Sequence, residues 1–113
     1  MAIKPLLGEL FVVITTEADE NIAKNLAKEI LGRRFAACVS LTEINSYFWW
    51  EEKTEQNNEV QLLIKTTKNK LDNLLELINK LHSYQTPELL YWKVTANNPY
   101  IEWAEKVTNV SFK

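Results

Sequence analysis

The 113-residue chain holds one cysteine, Cys38, and one histidine, His82. A thiolate and an imidazole are good ligands for zinc or copper, and the softness of sulfur favours Cu(I). The two stand far apart in the sequence, so only the fold could join them, and two ligands fall short of a structural zinc set. Each also has a plainer reading. Cys38 sits in the apolar run Ala36-Ala37-Cys38-Val39, where a cysteine acts as a small buried hydrophobe. His82 closes a helical pattern, where an imidazole suits the negative helix terminus. The pair is also the chain's nucleophile–base combination, and a buried Cys38 would end that idea.

Two further groups carry chemistry. His82, Tyr84, Gln85 and Glu88 cluster around Pro87 between a helix and a strand, and such connections often line clefts. The bland alternative is an ordinary loop stiffened by Pro87. Glu51, Lys53, Glu59, Lys65 and Thr66 form a polar set at strand and hairpin ends, where charges are usually just solvated. Lys65 stands apart because it closes an apolar strand and leads into Thr66-Thr67 at a helix start. Backbone N–H groups and a lysine there would suit a small anion. Glycine-rich phosphate loops, HExxH, CxxC and G-x-S-x-G are all missing, so no enzyme is expected.

The elements that position these residues follow from periodicity. Leu10 to Ile14 is an apolar β-branched run that reads as a buried strand. Thr16 precedes Glu17-Ala18-Asp19 in a capping-box pattern, and Ile22, Leu26 and Ile30 mark an amphipathic helix that Gly32 would end. Phe35 to Trp50 returns to strand character. Its length predicts a bulge near Thr42-Glu43. Glu51 to Asn58 reads as a turn, Glu59 to Lys65 as the returning strand, and Leu71, Leu74, Leu75, Ile78 and Leu81 as a second helix. Leu89 to Val94 reads as a fourth strand. Pro99 opens a last helix with Ile101, Ala104, Val107 and Trp103 on its packed side. The expected fold is α+β: a ferredoxin-like split βαβ (βαββαβ plus a C-terminal helix), two helices on one face of an antiparallel sheet. One domain covers residues 1–113, with its core at about 10–108.

Composition bounds the rest. Hydrophobic residues make up 46% and charged residues 25%, with two Gly and three Pro, which excludes a disordered or collagen-like chain. A net charge of −2 denies it a general grip on nucleic acid. No stretch is apolar enough for a membrane span. The opening residues lack a signal-peptide pattern, and with one cysteine a cytoplasmic home is expected. Both parities of the strands are apolar, and Tyr47, Phe48, Trp49 and Trp50 follow in a row. That is more greasy surface than a monomer hides, so these four are candidate oligomer contacts.

The blocks AACVS (36–40), SYFWWEEK (46–53), EVQLLIKTT (59–67) and HSYQTPE (82–88) resemble, in order and spacing, the CutA family of divalent-cation tolerance proteins. The family patterns are similar to ACVN, YWWxGK, LxxKT and HPYExP. The resemblance implies a tight trimer with an architecture like the PII signalling proteins. It also implies a link to metal tolerance with weak binding of Cu(II) or Cu(I) at His82 and Cys38, and no enzymatic activity. The alternative is a PII-like trimer that senses a small anionic ligand near Lys65, Thr66, Tyr84 and Glu59, or that acts through a protein partner. This chain departs from the family at Ser40 for Asn, Glu52 for Gly, Ser83 for Pro and Gln85 for Glu.

Overall fold

The computed structural model describes residues 9–109. The ends of the expected 1–113 domain lie outside the described residues. The elements follow the expected order: β1 (Leu10–Glu17), α1 (Glu20–Gly32), β2 (Cys38–Trp50), β3 (Lys53–Thr67), α2 (Lys68–Leu81), β4 (Leu90–Val94) and α3 (Asn98–Thr108). The sheet runs β2-β3-β1-β4 with every neighbouring pair antiparallel. This is the ferredoxin-like split βαβ arrangement with an added C-terminal helix.

Alternation along the strands explains why both parities are apolar. Val13, Val60, Leu62 and Ile64 point to one face and pack with Ala23, Leu26 and Ile30 of α1 and Leu74, Leu77 and Ile78 of α2. Leu10 is out of phase with Val13, so it points the other way. There it meets Ile101 and Ala104 of α3, with Ala37, Val94 and Tyr100 around them. Trp103 lies beside the Tyr100 ring and stays partly exposed. The third helix therefore covers one end of the second face. Val12, Ile14, Leu63, Leu90 and Trp92 share that face by register. Leu90 and Trp92 are both exposed.

Several local expectations are corrected. No bulge interrupts β2: its register with β3 is continuous from Cys38↔Lys65 to Trp50↔Lys53, because every residue has a one-for-one partner. The turn is not Glu51–Asn58 but Glu51-Glu52 alone. Polar side chains along 53–58 disguised a strand whose backbone pairing does not require apolar residues. Capping of α1 falls to Asp19, whose Oδ1 accepts from Ile22 N at 2.9 Å, since β1 runs on through Glu17. The αL residue that ends α1 is Arg34 (φ 62) rather than Gly32. Arg34 N donates to Leu31 O and Phe35 N to Ile30 O, a Schellman pair, and Arg34 Nη1 donates to Val107 O.

Beyond Glu17, where β1 stops opposite Val60, β2 and β3 continue as a two-stranded ribbon to their turn. That projection accounts for a radius of gyration of 15.9 Å, against about 13 Å for a compact chain this long. The turn takes φ 48 at Glu51 and 65 at Glu52, left-handed values that match the type I′ hairpin and favour glycine or asparagine. Glu52→Gly is expected to raise stability by about 0.5–1 kcal/mol, the relieved strain exceeding the added chain entropy. A denaturant midpoint that does not move would show that the turn carries no strain.

Candidate functional site

β4 pairs with β1 only between Leu10 and Ile14, so on that side the end of β1 is taken up by the segment leaving α2. Thr15 Oγ1 donates to Glu88 O at 2.6 Å. His82 caps α2, its N–H donating to Ile78 O. Its ring turns inward, with side chain 0% exposed. Nε2 lies 2.5 Å from Thr16 O, and Nδ1 accepts the Tyr84 N–H at 2.9 Å. A carbonyl on one nitrogen and a donor on the other select the Nε2–H tautomer.

Glu17 also points inward and is fully buried, a position that costs several kcal/mol unless donors meet the carboxylate. Three do. Ser83 N donates to Oε2 at 3.1 Å, the Ser83 hydroxyl donates to Oε1, and Ala18 N approaches Oε1 at 3.3 Å. His82 Nδ1 stands 3.6 Å from Oε2, too far for a hydrogen bond. Ser83 fills the position where the resembled pattern has proline, which has no N–H. The substitution thus supplies two of the donors that Glu17 uses. The sequence marks Ser83 only as a departure from the family pattern and Glu17 only as part of a capping box, not as site residues; the available signal is a carboxylate continuing the buried alternation Val13, Thr15, Glu17.

Tyr84 reaches from this segment to the ribbon, its hydroxyl donating to Glu59 Oε1 at 2.7 Å. Burial pushes its phenol well above the ordinary range, helped by the hydrogen bond to Glu59 and by the negative charges of Glu59 and Glu17. In the unfolded chain tyrosine ionises near about pH 10. Above that pH the unfolded state sheds a proton that the folded state keeps, so this contribution to stability falls as pH rises. The stability difference between parent and Tyr84→Phe should be full below about pH 9 and shrink above about pH 10. Urea unfolding at several alkaline pH values checks this, and a difference independent of pH would refute it.

Register places Ser46, Phe48 and Trp50 of β2 on one face with Glu55, Asn57 and Glu59 of β3. With Tyr84, Gln85, Thr86 and Glu88 these residues line a cleft of about 760 Å³. No basic side chain is among its lining residues. Tyr47 and Trp49 also border the cleft, although their side chains alternate to the opposite face of the ribbon and are 76% and 74% exposed. A second cleft of about 530 Å³ lies by Asp19, Glu20 and Glu43 and has no aromatic wall.

The remaining candidates lie elsewhere. Cys38, partly buried, pairs with Lys65, which pairs with Val12. His82 touches Thr16, so the two candidates are about 13 Å apart along the strands and two strands across. Among the described residues no group of three or more His, Cys, Asp and Glu could hold a metal ion. Copper ligation by His82 and Cys38 therefore does not fit: the fold separates them, and the imidazole has both nitrogens engaged. The anion site is also corrected. Thr66 is buried with its hydroxyl donated to Phe35 O at 2.7 Å, and Lys65 Nζ lies 5.9 Å from the centre of the Tyr100 ring. Glu59 and Tyr84 meet, but only carboxylates and polar or aromatic groups surround them.

Residues 11–107 match the family model of the CutA1 divalent ion tolerance protein. The divalent-cation tolerance protein CutA of Citrobacter koseri is 42% identical over 99 residues, covering 86% of each chain. That of Escherichia coli is 43% identical over 94 residues, covering 81% of this chain and 84% of its relative. Among solved structures, CutA1 from Oryza sativa superposes with TM-score 0.86 at 34% identity, over 92% of this chain and 97% of that one. CutA from Synechococcus elongatus does so with TM-score 0.88 at 30% identity, over 93% and 95%.

Proposed function

Because the chain belongs to the CutA1 divalent ion tolerance family, we propose that it acts in the response to divalent metal ions as a homotrimer. The observation that supports assembly is the sheet face that α3 leaves uncovered, with Val12, Ile14, Leu63, Leu90 and Trp92 side by side in register. The ribbon beyond Glu17 adds to it, since two strands alone are marginal in water and this one carries Phe48 and Trp50 on one face and Tyr47 and Trp49 on the other. Closed symmetric assembly would bury both features, in an architecture like that of the PII proteins. Sedimentation equilibrium at micromolar concentration should give about three times the 13.2 kDa chain mass, and a 13.2 kDa species would overturn the reading.

In this reading the copper affinity is weak and does not run through His82, whose ring nitrogens are already engaged. The chain is a binding protein rather than an enzyme, since its thiol and imidazole are held apart. Its place is the cytoplasm, on the strength of a lone cysteine; no helix among the described residues is long and apolar enough to cross a membrane. A second reading, a PII-like trimer that senses a small molecule and passes the signal to a protein partner, is favoured by one observation. That is the cleft of about 760 Å³ between ribbon and loop, a size typical of small-molecule sites.

A further inference from the structure

We propose that the acid-lined cleft beside the ribbon receives the Lys65 ammonium of the next copy of the chain, so that the trimer closes head to tail. The inference rests on the assembly reading and names the contact that joins the copies. A three-fold ring needs two different patches on each chain, one meeting the other around the circle. The second face of the sheet carries two such patches. Alternation puts Glu59, Leu63 and Lys65 of β3 on that face, where Lys65 pairs with Val12 and Cys38.

The two ends of the face carry opposite charge. Lys65 is partly buried. Its ammonium lies 5.9 Å from the centre of the Tyr100 ring and, among the described residues, pairs with no carboxylate. At the other end Glu59 is 9% exposed and accepts the Tyr84 hydroxyl, with the exposed Glu55 and Glu88 beside it in the cleft lining. No lysine or arginine of the same chain lines that cleft. Assembly on this face takes both charges out of water, which is costly for an ion left without a partner. Joined across the interface they offset each other, and the rings of Phe48 and Trp50 in the cleft wall attract the incoming cation. Within one chain the pair cannot form. Six residues of strand hold the two positions about 20 Å apart, beyond the joint reach of their side chains.

A double-mutant cycle on the full chain tests this. Lys65→Met removes the ammonium and keeps the stem, and Glu59→Gln removes the carboxylate charge and keeps an oxygen for Tyr84. Dissociation of the trimer is followed by sedimentation in mild urea for the parent, each single variant and the double variant, with circular dichroism showing that all four fold. Each single variant should raise the apparent dissociation constant about tenfold or more, because one buried charge loses its partner. The double variant should fall short of the product of the two effects by about fivefold or more. Positions this far apart in one chain act independently, so the shortfall reports a contact between copies. Lys65→Gln in place of Lys65→Met should give the same shortfall. Effects that simply multiply would overturn the pairing while the trimer stands, and would leave the cleft to the small molecule of the second reading. A parent that sediments as one chain even without urea would overturn the assembly and the pairing with it.

Discussion

Replacing His82 with alanine is expected to cost about 3–4 kcal/mol of stability and to leave copper affinity unchanged. Truncating a buried ring leaves a cavity, which for large side chains is worth about 3–5 kcal/mol. It also strands Thr16 O and Tyr84 N–H, whose hydrogen bonds the ring supplies, at about 1–3 kcal/mol for each group that water does not reach. Partial collapse and water entry reduce the sum, hence the lower figure. For a domain near 100 residues this shifts the melting temperature by roughly 12–30 °C. The segment that His82 anchors also carries Ser83 to Glu17 and Tyr84 to Glu59, so loosening should spread to the cleft. His82→Phe restores volume without the hydrogen bonds and should fall between parent and alanine. Thermal melting with calorimetric titration of Cu(II) into reduced protein separates the roles. An alanine variant that melts like the parent but loses copper affinity tenfold would make His82 a ligand after all.

The second large effect concerns assembly. Trp92 is 45% exposed in the single chain and lies opposite Val12 on the uncovered face. Burying a side chain of this kind contributes about 1.5–3 kcal/mol, and a three-fold assembly repeats the contact three times. Trp92→Asp removes that gain and leaves a carboxylate to be desolvated at each copy, costing several kcal/mol more. The variant should sediment as a single chain at micromolar concentration, where the proposed assembly predicts a trimeric parent. Its melting point should lose the concentration dependence that mass action confers on an assembled protein. Tyr91→Asp is the control, because Tyr91 pairs with Val13 and alternates to the helix-covered side. A trimeric Trp92→Asp variant would place the contact elsewhere.

Hydrophobic periodicity alone determined the elements and their order. Val60, Leu62 and Ile64 can share a face only in a strand, and Leu71, Leu74, Leu75, Ile78 and Leu81 only on a helix. Four ordered motif blocks then identified the family. Polar segments were less legible, because a backbone ladder is indifferent to side-chain polarity: Lys53 to Asn58 looked like a turn and is strand. Left-handed conformations at Arg34, Glu51 and Glu52 carried no glycine to announce them.

The site needed three dimensions. Tyr84 and Glu59 could be named as cleft candidates one by one. Their union depends on β4 ending short of Thr15, so that the loop after α2 fills the edge and carries Tyr84 to the ribbon. Charge is countable in sequence, but its neighbours are not, which is why a lysine-based anion site gave way to a carboxylate-lined cleft. The same limit governs His82. Its residue type advertises a metal ligand, whereas the carbonyl of Thr16 and the N–H of Tyr84 leave it no free nitrogen, and only chain tracing in space brings those two groups to the ring.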